Sequence, residues 1–367
     1  MNETTNQRLL AVDVMRGLTL IGMIIVNDPG SWNHVFPPLL HAEWNGLTPT
    51  DYVYPFFLFL VGVSIPLAYQ PKLDAKVRKA PMVGKIFSRS LKIFALGIFL
   101  WHFPDFNFSE IRWAGVLQRI ALVFLPCALL FLYTDRKQQT RLAAGILLAY
   151  WVIMAYLPVP GIGMPDLSEP GKNWAHYLDS ILLPGKLWQE TWDPEGILST
   201  FPAIVTGIFG MLAGHILNEK KAMQQQLISL FLMGFVLLVM GDLWQWFFPM
   251  NKNIWSSSYT CLMGGIACLT LAGLIHLTDI RGKTSWTYPA RVFGTNAIVA
   301  YVLAGTLTTV FYNNHFPEGG LNGLFMSWGQ NLGIPAQLAS FLYALFYVGV
   351  VFLPVSILYR RKLFIRL

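Results

Sequence analysis

Charge is scarce in this sequence. Asp, Glu, Lys and Arg make up 12% of it, against roughly 25% in a typical soluble domain. A soluble fold needs polar side chains to cover its surface, whereas a surface that faces lipid needs apolar ones. With 54% hydrophobic residues and a mean hydropathy of +0.50, the composition excludes an ordinary soluble domain. Cysteine is scarce too. Cys127, Cys261 and Cys268 all fall in apolar runs, so no disulfide framework is expected. The chain has no Walker loop, no GxGxxG after a strand and no HExxH. That argues against a soluble-type nucleotide site or a zinc site, and no metal is expected. No linker or low-complexity segment divides residues 1–367, which read as one membrane domain. No internal repeat is visible, which argues against an inverted-repeat transporter.

What the sequence has in abundance is long apolar runs. Runs able to cross roughly 30 Å of hydrocarbon occur at 9–26, 52–69, 86–103, 113–133, 142–158, 197–218, 225–248, 256–277, 290–312 and 336–358. The expected fold is therefore all-α and polytopic, with about ten transmembrane helices. The first run carries Asp13 and Arg16 and ends in Val26-Asn27-Asp28-Pro29 without a small-residue cleavage site, so it reads as a retained helix rather than a signal peptide.

Basic residues set the orientation. Twenty of the 26 Lys and Arg fall at one set of alternate helix ends, including Lys72, Lys76, Arg78, Lys79, Lys85, Arg89, Lys92, Arg136, Lys137, Arg141, Lys220, Lys221, Arg281, Lys283, Arg291 and the tail Arg360-Arg361-Lys362. The other ends carry Arg112, Lys172, Lys186 and Lys252. This asymmetry predicts both termini in the cytoplasm. It also explains the net charge of +7 without a nucleic-acid partner. The external loops are then 27–51, 104–112, 159–196, 249–255 and 313–335. Their Trp, Asn and carboxylates suit a sugar-like ligand, although for most of the Trp residues an interfacial aromatic belt is the better reading.

Several residues stand out chemically. His41 lies in the dense polar segment between the first two helices, and its imidazole can take a proton or act as a nucleophile; a hydrogen-bonded loop histidine is the plainer reading. Asp51 follows Thr50 at the start of an apolar helix, where helix capping would explain it. Asn27 closes the first helix, where a terminal carbonyl or water could satisfy it. Asp13 and Arg16 are three apart and can pair. Arg119, beside Gln118 in the fourth helix, has no acidic residue one turn away and is expected to face a functional cavity. Asp242 sits near the end of the seventh helix and Asn296 inside the ninth. The run from Lys72 to Lys92 could bind a polyphosphate, but positive-inside anchoring produces such a run by itself.

These features fall in blocks that resemble a known family. Arg8-Leu9 with Asp13, Arg16-Gly17, Val26-Asn27, His41-Ala-Glu-Trp-Asn-Gly-Leu-Thr48 and Asp51-Tyr-Val-Tyr-Pro-Phe-Phe-Leu-Phe-Leu-Val-Gly-Val-Ser64 are similar to the heparan-alpha-glucosaminide N-acetyltransferases. So are Gly115-Val-Leu-Gln-Arg119, Asp193-Pro-Glu-Gly-Ile-Leu198, Asn251-Lys-Asn-Ile-Trp-Ser256 and Gly294-Thr-Asn-Ala297. The resemblance implies transfer of acetyl from cytoplasmic acetyl-CoA, as donor substrate, to the amine of a glucosamine outside the cytoplasm. It implies His41 as catalytic base or nucleophile and Asn27 as its active-site companion. Substrate-binding positions are expected at Trp44, Asn45, Asp51, Gln118, Arg119, Asn251, Lys252 and Asn296, with Arg119 and Lys252 meeting phosphates or a negative saccharide. Without the family's lysosomal N-terminal extension, the chain is expected to be a bacterial member in the inner (cytoplasmic) membrane, and a homodimer. The alternatives are a sugar or oligosaccharide permease, or an O-acetyltransferase acting on a cell-envelope glycan.

Overall fold

The computed structural model describes residues 9–104, 106, 110–312 and 319–365. Arg8, and parts of the expected loops 104–112 and 313–335, lie outside the described residues. Thirteen α-helices are described: α1 Leu10–Asn27, α2 Val53–Asp74, α3 Lys79–His102, α4 Val116–Tyr133, α5 Arg136–Tyr156, α6 Trp174–Leu182, α7 Thr200–Leu217, α8 Met223–Trp244, α9 Ser257–Ile275, α10 Tyr288–Thr295, α11 Ala297–Phe311, α12 Leu321–Asn331 and α13 Ala336–Arg360. Among the described residues there is no strand, only two isolated bridges, Arg112 with Gly185 and Val159 with Gly163. The chain is all-α.

Nine of the ten expected spans each fall on one of these helices. Seven are long and apolar enough to cross a bilayer: α1, α2 with the turn before it, α4, α7, α8, α9 with the turn after it, and α13. The ninth expected span is not one helix. It is bent by 76° between α10 and α11, with Asn296 at the break (φ −122°, ψ 40°). Asn296 is therefore not an interior helical residue. Its side chain instead donates from Nδ2 to the Leu363 carbonyl (3.2 Å) and accepts at Oδ1 from the Ile365 amide (3.1 Å), tying the C-terminal segment to the break. The helices α3 and α5 are as long as the others, but α3 carries Lys79, Lys85, Arg89 and Lys92, and α5 opens on Arg136, Lys137 and Arg141. Two expected loops also contain helices, α6 and α12, of nine and 11 residues.

The chain divides into two compact units: residues up to Leu40 together with those from Leu269 on, and His41–Cys268. In the first, α1 packs on α10, α11 and α13. The α1–α10 crossing depends on Gly17 and Gly294, since a Cβ on either would overlap a backbone carbonyl of the other helix. Asp279 accepts the Leu10 and Ala11 amides (2.9 and 3.0 Å) and so satisfies the open N-terminus of α1, where a carboxylate also suits the helix dipole. Arg16 pairs with Asp13 at 3.0 Å, as their spacing predicts.

In the second unit α2, α4 and α7 form the centre. A Cβ on Gly62 would overlap the Gly207 carbonyl, and one on Gly210 the Phe59 carbonyl. Lipid supplies no hydrophobic drive between helices, so such close backbone approach is what holds membrane helices together. Here it fixes the α2 end that carries the site described below.

Two predictions follow from the packing and burial of these units. Gly210→Leu lowers the thermal unfolding temperature in detergent by several degrees, because overpacking costs about 1–3 kcal/mol or more. Gly145→Leu does not, because nothing lies within 4 Å of where its Cβ would stand; equal effects at the two positions contradict the crossing. The second concerns Asp28, which is buried just beyond α1, where burial pushes its carboxyl up to about 8. The folded protein then keeps this proton to higher pH than the unfolded chain. The carboxyl's contribution to stability therefore declines as pH rises from about 4 to about 8. Relative to wild type, Asp28→Asn gains melting temperature across that window, and a pH-independent difference contradicts it.

Candidate active site

The segment before α2 is shaped by one carboxylate. Thr48 and Asp51 form a capping box that opens the helical turn Pro49–Tyr52 and leads into α2. Asp51 is fully buried. Its Oδ2 accepts the Thr48 amide (3.0 Å), the Thr48 hydroxyl (3.1 Å) and the Ala42 amide (3.2 Å). Its Oδ1 lies 2.7 Å from His41 Nδ1, and its backbone carbonyl accepts the Tyr259 hydroxyl at 2.6 Å. Capping, the role the sequence suggests, is thus only half of what Asp51 does.

The carboxylate also sets the imidazole. Because a carboxylate can only accept, His41 carries its proton on Nδ1 and presents a bare Nε2, while its side chain remains 48% exposed. Lys252 Nζ lies 2.9 Å from Nδ1 and 3.0 Å from Nε2, and 3.7 Å from Asp51 Oδ1. An atom equidistant from both nitrogens in the ring plane would collide with the carbon between them, so the ammonium sits over the ring face. Neither in-plane lone pair is directed at it. Burial pushes the Lys252 ammonium below its ordinary value, against the opposing pull of Asp51 and Glu195. Asp51, His41 and Lys252 together offer a base and a cation to one ligand.

A buried aromatic and ionic layer surrounds this group. Tyr54 and Tyr259 pack edge-on against Trp255, and the fully buried Arg119 guanidinium lies 5.3 Å over the same indole. Arg119 Nη2 donates to the Gly196 carbonyl and the Ser199 hydroxyl, while Nε and Nη1 are buried without an acceptor. Arg112 donates from Nε and Nη2 to Asp193 (both 2.7 Å) and from Nη2 to Glu195 (2.8 Å). Its guanidinium lies 4.9 Å from the Trp101 ring and 4.8 Å from the Trp188 ring. Burial opposes that charge, but the two carboxylates hold Arg112 above its ordinary value, while burial raises Glu195. Burial also pushes Asp179 up to about 6. That carboxylate accepts the Ile197 and Asp193 amides.

The other expected residues take varied places. Trp44 Nε1 and Asn45 Nδ2 both donate to the Leu167 carbonyl. Asn45 Oδ1 accepts from the buried Asn251 side chain, whose own Oδ1 accepts the Ile254 amide. These three staple loops behind the histidine. Trp44 also meets His176 and Trp192, which stack on each other at 4.3 Å. Burial pushes His176 down to about 3, so it stays neutral at ordinary pH. Gln118 fills the space left by Gly97 and Gly115, where a Cβ would strike its amide oxygen. Asn27 is exposed at the end of α1 and, like Asn296, belongs to the other unit. The Arg112–Asp193–Glu195 cluster escapes a sequence reading because its members lie 81 and 83 positions apart.

Fold and site together define a multi-pass, all-helical membrane protein with a carboxylate-oriented histidine at the start of one span. Residues 8–250 match the family model described as heparan-alpha-glucosaminide N-acetyltransferase, catalytic. The chain is 30% identical over 369 aligned residues to heparan-alpha-glucosaminide N-acetyltransferase of Homo sapiens, and 29% identical to that of Mus musculus. It belongs to the heparan-alpha-glucosaminide N-acetyltransferase family. Each alignment covers 84% of this chain and 54% of the relative, so the chain spans about half the length of the relatives it matches.

The ionic cluster makes a direct prediction. Arg112→Leu strands two buried carboxylates and costs about 3–5 kcal/mol, seen as a large drop in thermal unfolding temperature. Replacing Asp193 and Glu195 by Leu as well restores part of the loss. A neutral single variant contradicts the assignment.

Proposed function

We propose that this chain moves an acetyl group from acetyl-CoA, drawn from the side bearing the basic loops, to the amine of a glucosamine-type sugar on the opposite side of the membrane. The activity for which the relatives are named motivates the reaction class, and the His41–Asp51 pair supports the mechanism. The basic helix ends support the orientation, with both termini in the cytoplasm, and an inner membrane goes with that reading. Transfer from a thioester to an amine needs a base for the ammonium proton and a counter-charge for the carbonyl oxygen.

His41 Nε2 takes the proton as the amine nitrogen attacks the carbonyl carbon. The Lys252 ammonium stands beside the developing oxyanion. On collapse the carbon–sulfur bond breaks and the proton passes from Nε2 to the thiolate, giving the amide and free coenzyme A thiol. Asp51 holds the ring in the tautomer this requires and stabilises the imidazolium that forms. The unanswered N–H groups on Nε and Nη1 of Arg119 suit an accepting oxygen of a substrate, carbonyl or anionic.

The test is transfer of labelled acetyl from acetyl-CoA to glucosamine by purified protein in detergent. His41→Ala lowers turnover by about 10²–10⁴-fold, and Asp51→Asn lowers it with a smaller change in KM than in kcat. Full turnover in a folded His41→Ala sample removes the catalytic assignment. Uptake of N-acetylglucosamine into liposomes without acetyl-CoA favours a permease instead, and a hydroxylamine-labile product identifies an O-acetyl transferase.

A further inference from the structure

A cavity lies wholly within the unit built on α1 and α10–α13. It measures about 480 Å³, within the range of small-molecule sites. The strand of chain after α1 and one side of α12 line it, with Ser31, Trp32, Asn33, Asn322, Ser327 and Gln330 contributing side chains. No Lys, Arg, Asp or Glu is among the described residues that line it; His34 is the one titratable ring there, on the opposite side of Asn33 from Trp32 in the chain. Its wall is pinned rather than loose. The Gly30 amide donates to the Ser340 carbonyl (3.2 Å), the Ser31 amide to Ser340 Oγ (3.0 Å), and Ser340 Oγ to the Ser31 carbonyl (3.2 Å). Asn322 Nδ2 donates to the Gly30 carbonyl at 3.1 Å, while its Oδ1 is buried without a donor.

Trp32 belongs to this preformed rim and is 59% exposed. A flat indole face beside uncharged amides and hydroxyls matches one ligand chemistry closely. Sugar rings have apolar C–H faces that stack on an aromatic ring and an edge of hydroxyls that both give and take hydrogen bonds. A phosphate or sulfated ligand would call for Arg or Lys, and an aliphatic ligand would leave the amides unpaired.

We propose that this cavity is a binding subsite for an uncharged saccharide unit, stacked on Trp32 and hydrogen-bonded by Asn33, Asn322 and Gln330. That this unit is part of the acetyl acceptor rests on the acetyl-transfer reading; that the cavity binds a neutral saccharide does not.

The experiment is calorimetric titration of the full chain in detergent with N,N′-diacetylchitobiose, and with a sulfated disaccharide as the charged comparison. The neutral disaccharide binds. Trp32→Ala weakens it about tenfold, the equivalent of a lost aromatic contact, and Gln330→Ala weakens it several-fold. Both residues are exposed, and unchanged thermal unfolding temperatures verify that the variants are folded. His41→Ala leaves this binding unchanged. Absence of binding to wild type, preference for the sulfated sugar, or an unaltered Kd in Trp32→Ala overturns the proposal, the last leaving Trp32 as a headgroup-level anchor. Binding lost in His41→Ala alone moves the sugar to the other site and also overturns it. If acetyl transfer is absent while Trp32-dependent binding persists, the reaction proposed above fails and the subsite stands.

Discussion

Four hydrogen bonds converge on the Asp51 carboxylate, and much of the second unit is arranged to permit them. A buried carboxylate is costly unless its lone pairs are answered. Here the Ala42 and Thr48 amides, the Thr48 hydroxyl and the His41 ring answer them. One side chain therefore starts a helix, folds the preceding loop back on itself and fixes a histidine tautomer. Its backbone is held in turn by Tyr259, which reaches it from α9. The close passage of α2 and α7 at Gly62, Gly207 and Gly210 keeps the helix that carries Asp51 in register.

Polar groups inside a membrane protein are expensive and need partners, and this unit provides nearly all of them internally. Arg112 lies between two indoles with two carboxylates on its N–H groups. Asp179 takes two backbone amides from the Asp193–Ile197 turn. Against that background, the unanswered N–H groups of Arg119 and the half-exposed ring of His41 are two places beside the Asp51 group where polar capacity is left unused. A substrate completes such groups at less cost than desolvating paired ones, which is why function is sought there.

The transmembrane helices were legible because a lipid-facing helix must be a long apolar run, and runs of that length are visible without any partner. The short helices α6 and α12 were not, since nine or 11 residues are too few to cross a bilayer and do not stand out as long apolar runs. The break at Asn296 was hidden because apolar residues continue on both sides of it. At the site, His41 could be singled out as a titratable ring in a dense polar segment, which also holds His34. Its orienting carboxylate was seen only as a helix cap, because capping is a local pattern and the ten-residue return to His41 is not. Lys252 lies 211 positions from His41, and the Arg112 cluster is equally non-local, so charge pairing there could emerge only from the packed helices. Asn45 and Asn251 are expected from the sequence to bind substrate; their bond to each other, across 206 positions, is visible only in the packed loops.

The two-sidedness of the chain gives this site its problem: the basic loops lie at one set of helix ends and His41 precedes a helix at the other set. The account requires the acetyl-bearing arm of the donor to pass inside the helical bundle and end at the imidazole. The most direct measurement is an experimental structure of the protein with coenzyme A bound. The account predicts the thiol in van der Waals reach of His41 Nε2, with Lys252 beside it. A thiol on an outer surface, with protein between it and His41, would contradict it.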